Sequence, residues 1–419
     1  MPILSLAWNS LRNRRFTALL TVISVAFSVT LLVGVERLRT EARTSFASTI
    51  SGTDLIVGAR SGPVQLLLYA VFRIGDATNN ISWTSYQDVA RNPKVAWSVP
   101  ISLGDSHRGF RVLGTNTDYF RHYRYARNRG LAVAQGEEFR DLYDAVLGAE
   151  VAEKLGYKLG DPIVVAHGAG DVSFARHEDK PFRVAGILAR TGTPVDRTVH
   201  VSLESIEAIH ADWQSGVPTP GVTMSAEHVR KLNLTPKAIT AALVGLKSKI
   251  GTFQYQRYVN EYPNEPLSAI LPGVALSQLW GLIGIAENAL LIVSVFVVVV
   301  GLFGMLTALL TSLNERRREM AILRSVGARP GHVFALIMGE AGVLTLLGVM
   351  LGLALLYLLL VLGQPLVESR FGIFISIGGL SGHEGILLVA VIAAGFLVGS
   401  IPSYRAYRLS LADGLSLRI

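Results

Sequence analysis

Seven of the nine histidines in this 419-residue chain fall between positions 107 and 228 (His107, His122, His167, His177, His200, His210 and His228). Imidazole is the side chain best suited to holding a transition metal or moving a proton near neutral pH. None of the seven forms His-x-His or His-Glu-x-x-His, the spacings that set two imidazoles on one face of a strand or helix. The densest stretch runs His167-Gly-Ala-Gly-Asp171-Val-Ser-Phe-Ala-Arg-His177-Glu178-Asp179. His167, Asp171 and His177 are the candidate zinc ligands there, but a solvated polar loop has the same composition, and the expectation is that no metal is bound. Cysteine is absent, which removes disulfides, thiolate metal sites and cysteine nucleophiles. No Gly-x-Ser-x-Gly elbow supports hydrolase chemistry. The chain is expected not to be catalytic.

A second chemical signal is a carboxylate in apolar surroundings. Glu340 is the sole charge between Val333 and Leu362, where an ionised group is costly and invites a functional role such as proton relay. Its position near one end of the run also permits a structural role, as a partner for Arg329 or His332.

The elements that must carry these residues are read from hydropathy. Mean hydropathy is +0.41 with 17% charged residues, unlike a wholly soluble chain. Four runs are long enough to cross a bilayer, each needing about 20 mostly apolar residues: 16–35, 289–313, 333–362 and 385–401. The first exceeds the usual signal-peptide apolar region of roughly 7–15 residues and reads as an uncleaved anchor. The fold class is therefore a membrane protein with four transmembrane α-helices and a large α+β periplasmic domain between the first and second.

Net charge is +8, and its placement decides its meaning. Residues 1–15, 314–332 and 402–419 hold eleven arginines against three acidic residues; the rest of the chain has 28 basic and 28 acidic residues. Nucleic acid is thereby excluded as a partner, and the positive-inside rule puts both termini and the 314–332 loop in the cytoplasm. The expected order is an amphipathic cytoplasmic segment (1–15), the first span (16–35), the outer domain with stalks (36–288), the second span (289–313), a cytoplasmic loop (314–332), the third span (333–362), a short outer loop (363–384), the fourth span (385–401) and a cytoplasmic tail (402–419).

Within the outer domain, Val64 to Phe72 is too short to span and reads as a buried element, with an interfacial or substrate-contacting helix as the alternative. Ala145–Gly148, Ile163–Ala166, Phe182–Leu188 and Val199–Val201 read as strands. Glu150–Leu155, closed by Gly156, and Leu203–His210 have helical spacing. One mixed α+β domain or two small ones fit this pattern.

The loop Asn314-Glu-Arg-Arg-Arg-Glu319-Met-Ala-Ile-Leu-Arg-Ser-Val-Gly327-Ala328-Arg329-Pro330 predicts an amphipathic helix over 315–326, with Met320, Leu323 and Gly327 on one stripe, Gly327 as C-cap and Pro330 restarting the chain. A loop that only satisfies the positive-inside rule would need no such stripe. Residues 317–329 resemble the signature loop of ABC transporter permeases of the MacB/FtsX/LolC–LolE type. Support comes from Glu340 with Leu346-Leu347-Gly348 and Gly352, from 402–415, and from 146–156, Gly160-Asp161 and 182–188. Residues 50–130 and 215–275 match nothing.

The resemblance implies a coupling helix that docks on an ATPase through Glu315, Arg318, Glu319, Met320, Ala321, Leu323, Arg324, Gly327 and Ala328. These 419 residues contain no Gly-x-x-x-x-Gly-Lys-[Ser/Thr], so ATP and Mg are expected on a separate partner, a cytoplasmic ABC ATPase dimer, with no cofactor bound by the chain itself. A second permease copy, identical or not, is implied, and Gly348/Gly352 and Gly395/Gly399 permit close helix approach within or between subunits. A periplasmic substrate-binding or adaptor protein and membrane lipid complete the expected partners, in the bacterial inner membrane. The implied function is mechanotransmission: ATP hydrolysis moves the outer domain to export, extract or transfer a lipoprotein, peptide or small molecule. The alternative is an FtsX-like regulator that transports nothing and activates a periplasmic cell-wall hydrolase.

Overall fold

The computed structural model describes residues 15–126, 128–168, 175–177, 179–214, 217–218, 224–371 and 377–408. The chain divides into two compact units, one of residues 43–282 with 371–373, the other of 1–42, 283–370 and 374–419. In chain order the principal helices are α1 (Arg15–Ser48), α2 (Pro63–Phe72), α3 (Trp83–Ala90), α4 (Ala149–Leu155), α5 (Leu203–Ile209), α6 (Thr252–Asn260), α7 (Pro272–Glu315), α8 (Arg317–Ser325), α9 (Pro330–Phe371) and α10 (Gly382–Arg408). The principal strands of the main sheet are β1 (Leu55–Ala59), β2 (Val95–His107), β3 (Phe110–Thr115), β4 (Val133–Gly136), β5 (Asp144–Leu147), β6 (Ala166–His167), β7 (Phe182–Leu188), β8 (Thr198–Ser202), β9 (Ala241–Leu246) and β10 (Leu267–Ile270), with two-residue strands at Pro162–Ile163 and Ala175–Arg176 on its margin.

The first unit is α+β and built on one sheet in the order β10-β1-β9-β2-β3-β8-β5-β7-β4, with β6 added beside β2. Of the two expectations, one domain or two, the structure has one continuous sheet. Its pairs are antiparallel except β3·β8 and β5·β7. The thirteen-residue β2 serves both halves: residues 95–101 pair with β9, and 102–107 pair with β3. Its register slips between Leu103 and Ser106, a bulge that re-aims the side chains at that point.

Local sequence explains the flanking helices. Ser82 and Ser202 cap α3 and α5, each side-chain oxygen accepting from the backbone N–H three residues on (3.2 and 3.1 Å). Gly156 closes α4 at a φ of +71°, where a Cβ would be strained. The run from Val64 to Phe72 forms α2, whose Leu66, Leu67, Tyr69, Ala70, Val71 and Phe72 are buried in the core with Ile56, Val99, Leu113 and Leu243. Of the two expectations for this run, the buried one holds.

Among the described residues, four helices are long and apolar enough to cross a membrane: Arg15–Glu41 in α1, Pro272–Leu313 in α7, Pro330–Gln364 in α9 and Gly382–Arg408 in α10; they form the second unit, apart from residues 272–282. Val25, Val29, Leu32 and Val33 of α1 pack on Val349 and Leu356 of α9 and on Leu388 and Val391 of α10. Hydroxyls join the helices where side chains are small. Ser28 Oγ donates to Val297 O (3.1 Å), and Thr30 Oγ1 donates to Gly352 O (2.9 Å). Arg37 on α1 and Glu384 on α10 form a buried two-pronged ion pair at 2.9 and 3.0 Å.

Candidate functional site

The segment between α7 and α9 is shaped by three breaks in helical geometry. At Arg316 the chain leaves the α7 path (φ −96°, ψ 13°) and restarts as α8. Gly327 then takes φ +106°, far outside the range of ordinary side chains, while its N–H donates to Arg324 O (3.1 Å) and the Ala328 N–H donates to Leu323 O (3.0 Å). This crossed pair of bonds satisfies the last carbonyls of α8. Pro330 opens α9, where a missing N–H costs nothing, and His332 Nδ1 accepts the Arg329 N–H at 3.2 Å. Residues 315–326, expected as one helix, are thus the end of α7, a corner at Arg316, and the shorter α8.

The corner has an ionic reason. Arg316 Nη1 donates to Glu340 Oε1 of α9 at 2.7 Å, and its Nε donates to Glu319 Oε2 at 2.8 Å. Both side chains of the Arg316–Glu340 pair are buried, so the charge of Glu340 is matched where an unmatched one would be costly. This corrects the partners expected for Glu340: it pairs with Arg316, while Arg329 and His332 meet each other through the α9 cap. Twenty-four residues separate Arg316 from Glu340, and no local pattern links them.

α8 has two faces. Met320, 4% exposed, packs with Leu313, Val333, Leu336, Ile337 and Ala406, with Leu323 alongside. Ala321 is buried as well. Burying a Met side chain contributes about 1.5–3 kcal/mol, enough to hold so short a helix against α9 and α10. Met320 and Ala321, expected among the docking residues, thus face the chain's own helices. The outward face carries Glu319 and two apolar residues absent from that expectation, Ile322 (60% exposed) and Val326 (83% exposed). Glu315 and Gly327 are exposed, Arg324 and Ala328 half-buried; the side chain of Arg318 lies outside the described residues. The four-residue spacing of Ile322 and Val326 was legible, but nothing local distinguishes an apolar residue turned inward from one turned outward.

The small residues of the spans have defined neighbours within the chain. A Cβ on Gly348 would lie 2.6 Å from Val25, and one on Gly352 would lie 2.7 Å from the Ala26 carbonyl; both glycines let α1 approach α9. Gly395 and Gly399 on α10 meet Thr345 and Ala341 of α9 in the same manner. All four serve packing within the subunit.

The histidines of the other unit have separate fates. His107 is satisfied on both ring nitrogens, by Val164 O and the Tyr157 hydroxyl. His122 stacks on Trp97, and His228 is exposed. His200 is buried beside Tyr119 and Phe120, its Nδ1–H donating to Val146 O (3.1 Å). His167 and His177, ten residues apart in sequence, are drawn together with two residues that spacing did not suggest, Asp105 and His210. Asp171 lies outside the described residues.

Two family models match this chain. Residues 17–242 match the MacB-like periplasmic core domain, and residues 291–411 match the FtsX-like permease C-terminal. An uncharacterized ABC transporter permease of Methanocaldococcus jannaschii is 25% identical over 287 residues, 66% of this chain and 63% of the relative. The macrolide export ATP-binding/permease protein MacB of Bordetella avium is 24% identical over 430 residues, 99% of this chain and 60% of the relative. The chain thus spans about three fifths of the length of these relatives. The crystal structure of the periplasmic region of MacB from Actinobacillus actinomycetemcomitans aligns at 11% identity and a TM-score of 0.35, over 55% of this chain and 94% of that one.

Proposed function

Because this chain belongs to the family of FtsX-like ABC transporter permeases with a MacB-like periplasmic core domain, we propose that it is a mechanical transmission: α8 receives a push from a cytoplasmic ABC ATPase carried on a separate polypeptide, and the four membrane helices pass it to the periplasmic core domain. The observation that carries this reading is the two-faced α8. Its inner face is fixed by Met320 and by the buried Arg316–Glu340 pair, while Ile322 and Val326 stand in solvent. A helix clamped on one side and apolar on the other suits a lever that is gripped by a partner. The unbroken α7, 44 residues and thus about 66 Å long at 1.5 Å per residue, supports the transmission, since a shift at one end of a stiff helix reaches the other.

In this reading the permease acts as a pair of subunits in a bacterial inner membrane, both termini cytoplasmic, and drives export, extraction or transfer of a substrate met in the periplasm or outer leaflet. The test is the double variant Ile322→Asp/Val326→Asp, made in the intact chain. Neither side chain contributes to the α8 core, so the melting temperature is expected to hold within a few degrees. Co-purification of the ATPase, and any stimulation of its turnover by the permease, is expected to fall about tenfold or more. Full retention of both would remove α8 as the docking element.

A further inference from the structure

We propose that the periplasmic core domain binds a divalent transition metal, with Zn²⁺ as the fitting ion, between Asp105, His167 and His210. The donor atoms of these three residues all lie within 4.8 Å of one another. They come from three elements: Asp105 from the bulged part of β2, His167 from β6, and His210 from the position that ends α5. β2 and β6 pair with Asp105 directly opposite His167, which brings residues 62 apart in sequence to a 3.1 Å hydrogen bond from His167 Nδ1 to Asp105 Oδ1, whose proton a bound metal ion would replace.

The hydrogen-bond geometry of His210 leaves room for a cation. His210 Nδ1 lies 2.8 Å from the Ile206 carbonyl, which can only accept, so Nδ1 carries the proton and donates it. In the neutral ring Nε2 is then a bare lone pair. It has no hydrogen-bond partner, and the nearest charged atom is Asp105 Oδ1 at 3.7 Å, another acceptor. In that form two acceptors face one another, and a metal ion between them would bond to both. Zn–N and Zn–O bonds of about 2.0–2.1 Å hold tetrahedral ligands roughly 3.4 Å apart. The 3.1 and 3.7 Å separations bracket that value. An imidazole whose other nitrogen is tied to a backbone carbonyl is also the usual arrangement of a metal-binding histidine.

Independent evidence comes from His177. It is 1% exposed, and both of its ring nitrogens lack a hydrogen-bond partner, an arrangement that costs free energy if nothing uses them. Its ring lies 5.0 Å from that of His210 and 4.5 Å from that of Trp213, and the ring of Trp213 lies 5.7 Å from that of His167. His177 thus supplies a third imidazole, and a fourth possible ligand, beside the site, and Trp213 walls it. The neighbouring Asp212 does not compete, because both its oxygens accept from the buried Lys180 ammonium (3.0 and 2.9 Å). His167 is the half-exposed member, so the ion has a path from solution. Two imidazoles and a carboxylate favour Zn²⁺ over the hard, oxygen-seeking Mg²⁺ and Ca²⁺.

Equilibrium dialysis of the full-length, chelator-stripped protein in detergent against ⁶⁵Zn²⁺ tests the site, with Co²⁺ absorption in the visible as a second probe. One ion per chain is expected at micromolar free Zn²⁺. His167→Ala and His210→Gln should each weaken binding more than about 100-fold, beyond what loss of a supporting group alone causes; His228→Ala, on an exposed histidine, should leave it unchanged. His167 is half-exposed, so His167→Ala should melt with the metal-free wild type and keep folding separate from binding. No binding by the wild type at micromolar Zn²⁺, or equal binding by wild type, His167→Ala and His210→Gln, overturns the proposal.

Discussion

Buried ionisable residues in this protein are either matched or held neutral, and which of the two applies sets how each responds to pH. Glu340 and Arg316 neutralise one another, as do Arg37 and Glu384. His200 has no such partner. Burial, with the Arg73 charge adding to it, pushes its pKa down to about 3. An unfolded-chain histidine titrates near 6.5. Above that pH neither state takes the proton and His200 contributes nothing to pH dependence. Below it the unfolded state binds a proton that the folded state refuses, so stability falls as pH drops from about 6.5 toward 3, by up to roughly 1.4 kcal/mol per unit. In His200→Leu this part of the slope should vanish: urea unfolding followed by tryptophan fluorescence at pH 6.5, 5.5 and 4.5 should show a flatter decline than the wild type. An unchanged slope would assign the acid sensitivity elsewhere. His200 reads as an ordinary polar residue in Thr-Val-His-Val-Ser, because only the packing of Tyr119 and Phe120 against it makes it a core residue.

At the scale of elements, helix contacts in the membrane unit turn on absent side chains. Gly352 and Gly339 both lie on α9, yet only Gly352 has a neighbour: a Cβ there would come within 2.7 Å of the Ala26 backbone and 2.9 Å of Val29, whereas one on Gly339 meets nothing within 4 Å. Gly352→Ala must push α1 aside and strain the Thr30 hydroxyl bond, at about 1–3 kcal/mol. Gly339→Ala should be neutral or slightly stabilising, since alanine is the better helix former by up to about 1 kcal/mol. Thermal unfolding in detergent distinguishes them, and equal melting temperatures would contradict the packing described. The spans and the small-x-x-x-small spacing were legible as sequence. Which glycines face a neighbour, and whose, depends on the rotation of each helix about its axis, which hydropathy does not report.

For the whole molecule, the arginine distribution carries an orientation that labelling can check. The chain has no cysteine, so a single introduced thiol reports alone. Ile250→Cys replaces a 94% exposed residue of the periplasmic core domain, and Val326→Cys an 83% exposed residue of the α8 loop. In intact spheroplasts a membrane-impermeant maleimide should modify position 250 at once and position 326 only after permeabilisation. The reverse pattern would invert the topology and, with it, the assignment of α8 to an ATPase. The proposed transmission stands on this orientation, whereas the proposed metal site does not: its ligands all lie in one unit and bind or fail to bind in either orientation.

Sequence alone determined that four apolar runs cross a membrane, that the charge gathers in three short segments, and that the loop around 317–329 belongs with FtsX-like permeases. These features are local: hydropathy, charge and a contiguous motif are properties of neighbouring residues. Tertiary structure decided what depends on residues far apart. It joined Arg316 to Glu340 and so turned Met320 inward and Val326 outward. It also laid β2 against β6 so that Asp105, His167 and His210 share one spot. The strands at 55–59, 95–107 and 241–246, which carry none of the motifs on which the resemblance was read, pair side by side in that same sheet. Strand register and helix rotation are set by burial summed over the whole core, and no window of sequence contains that sum.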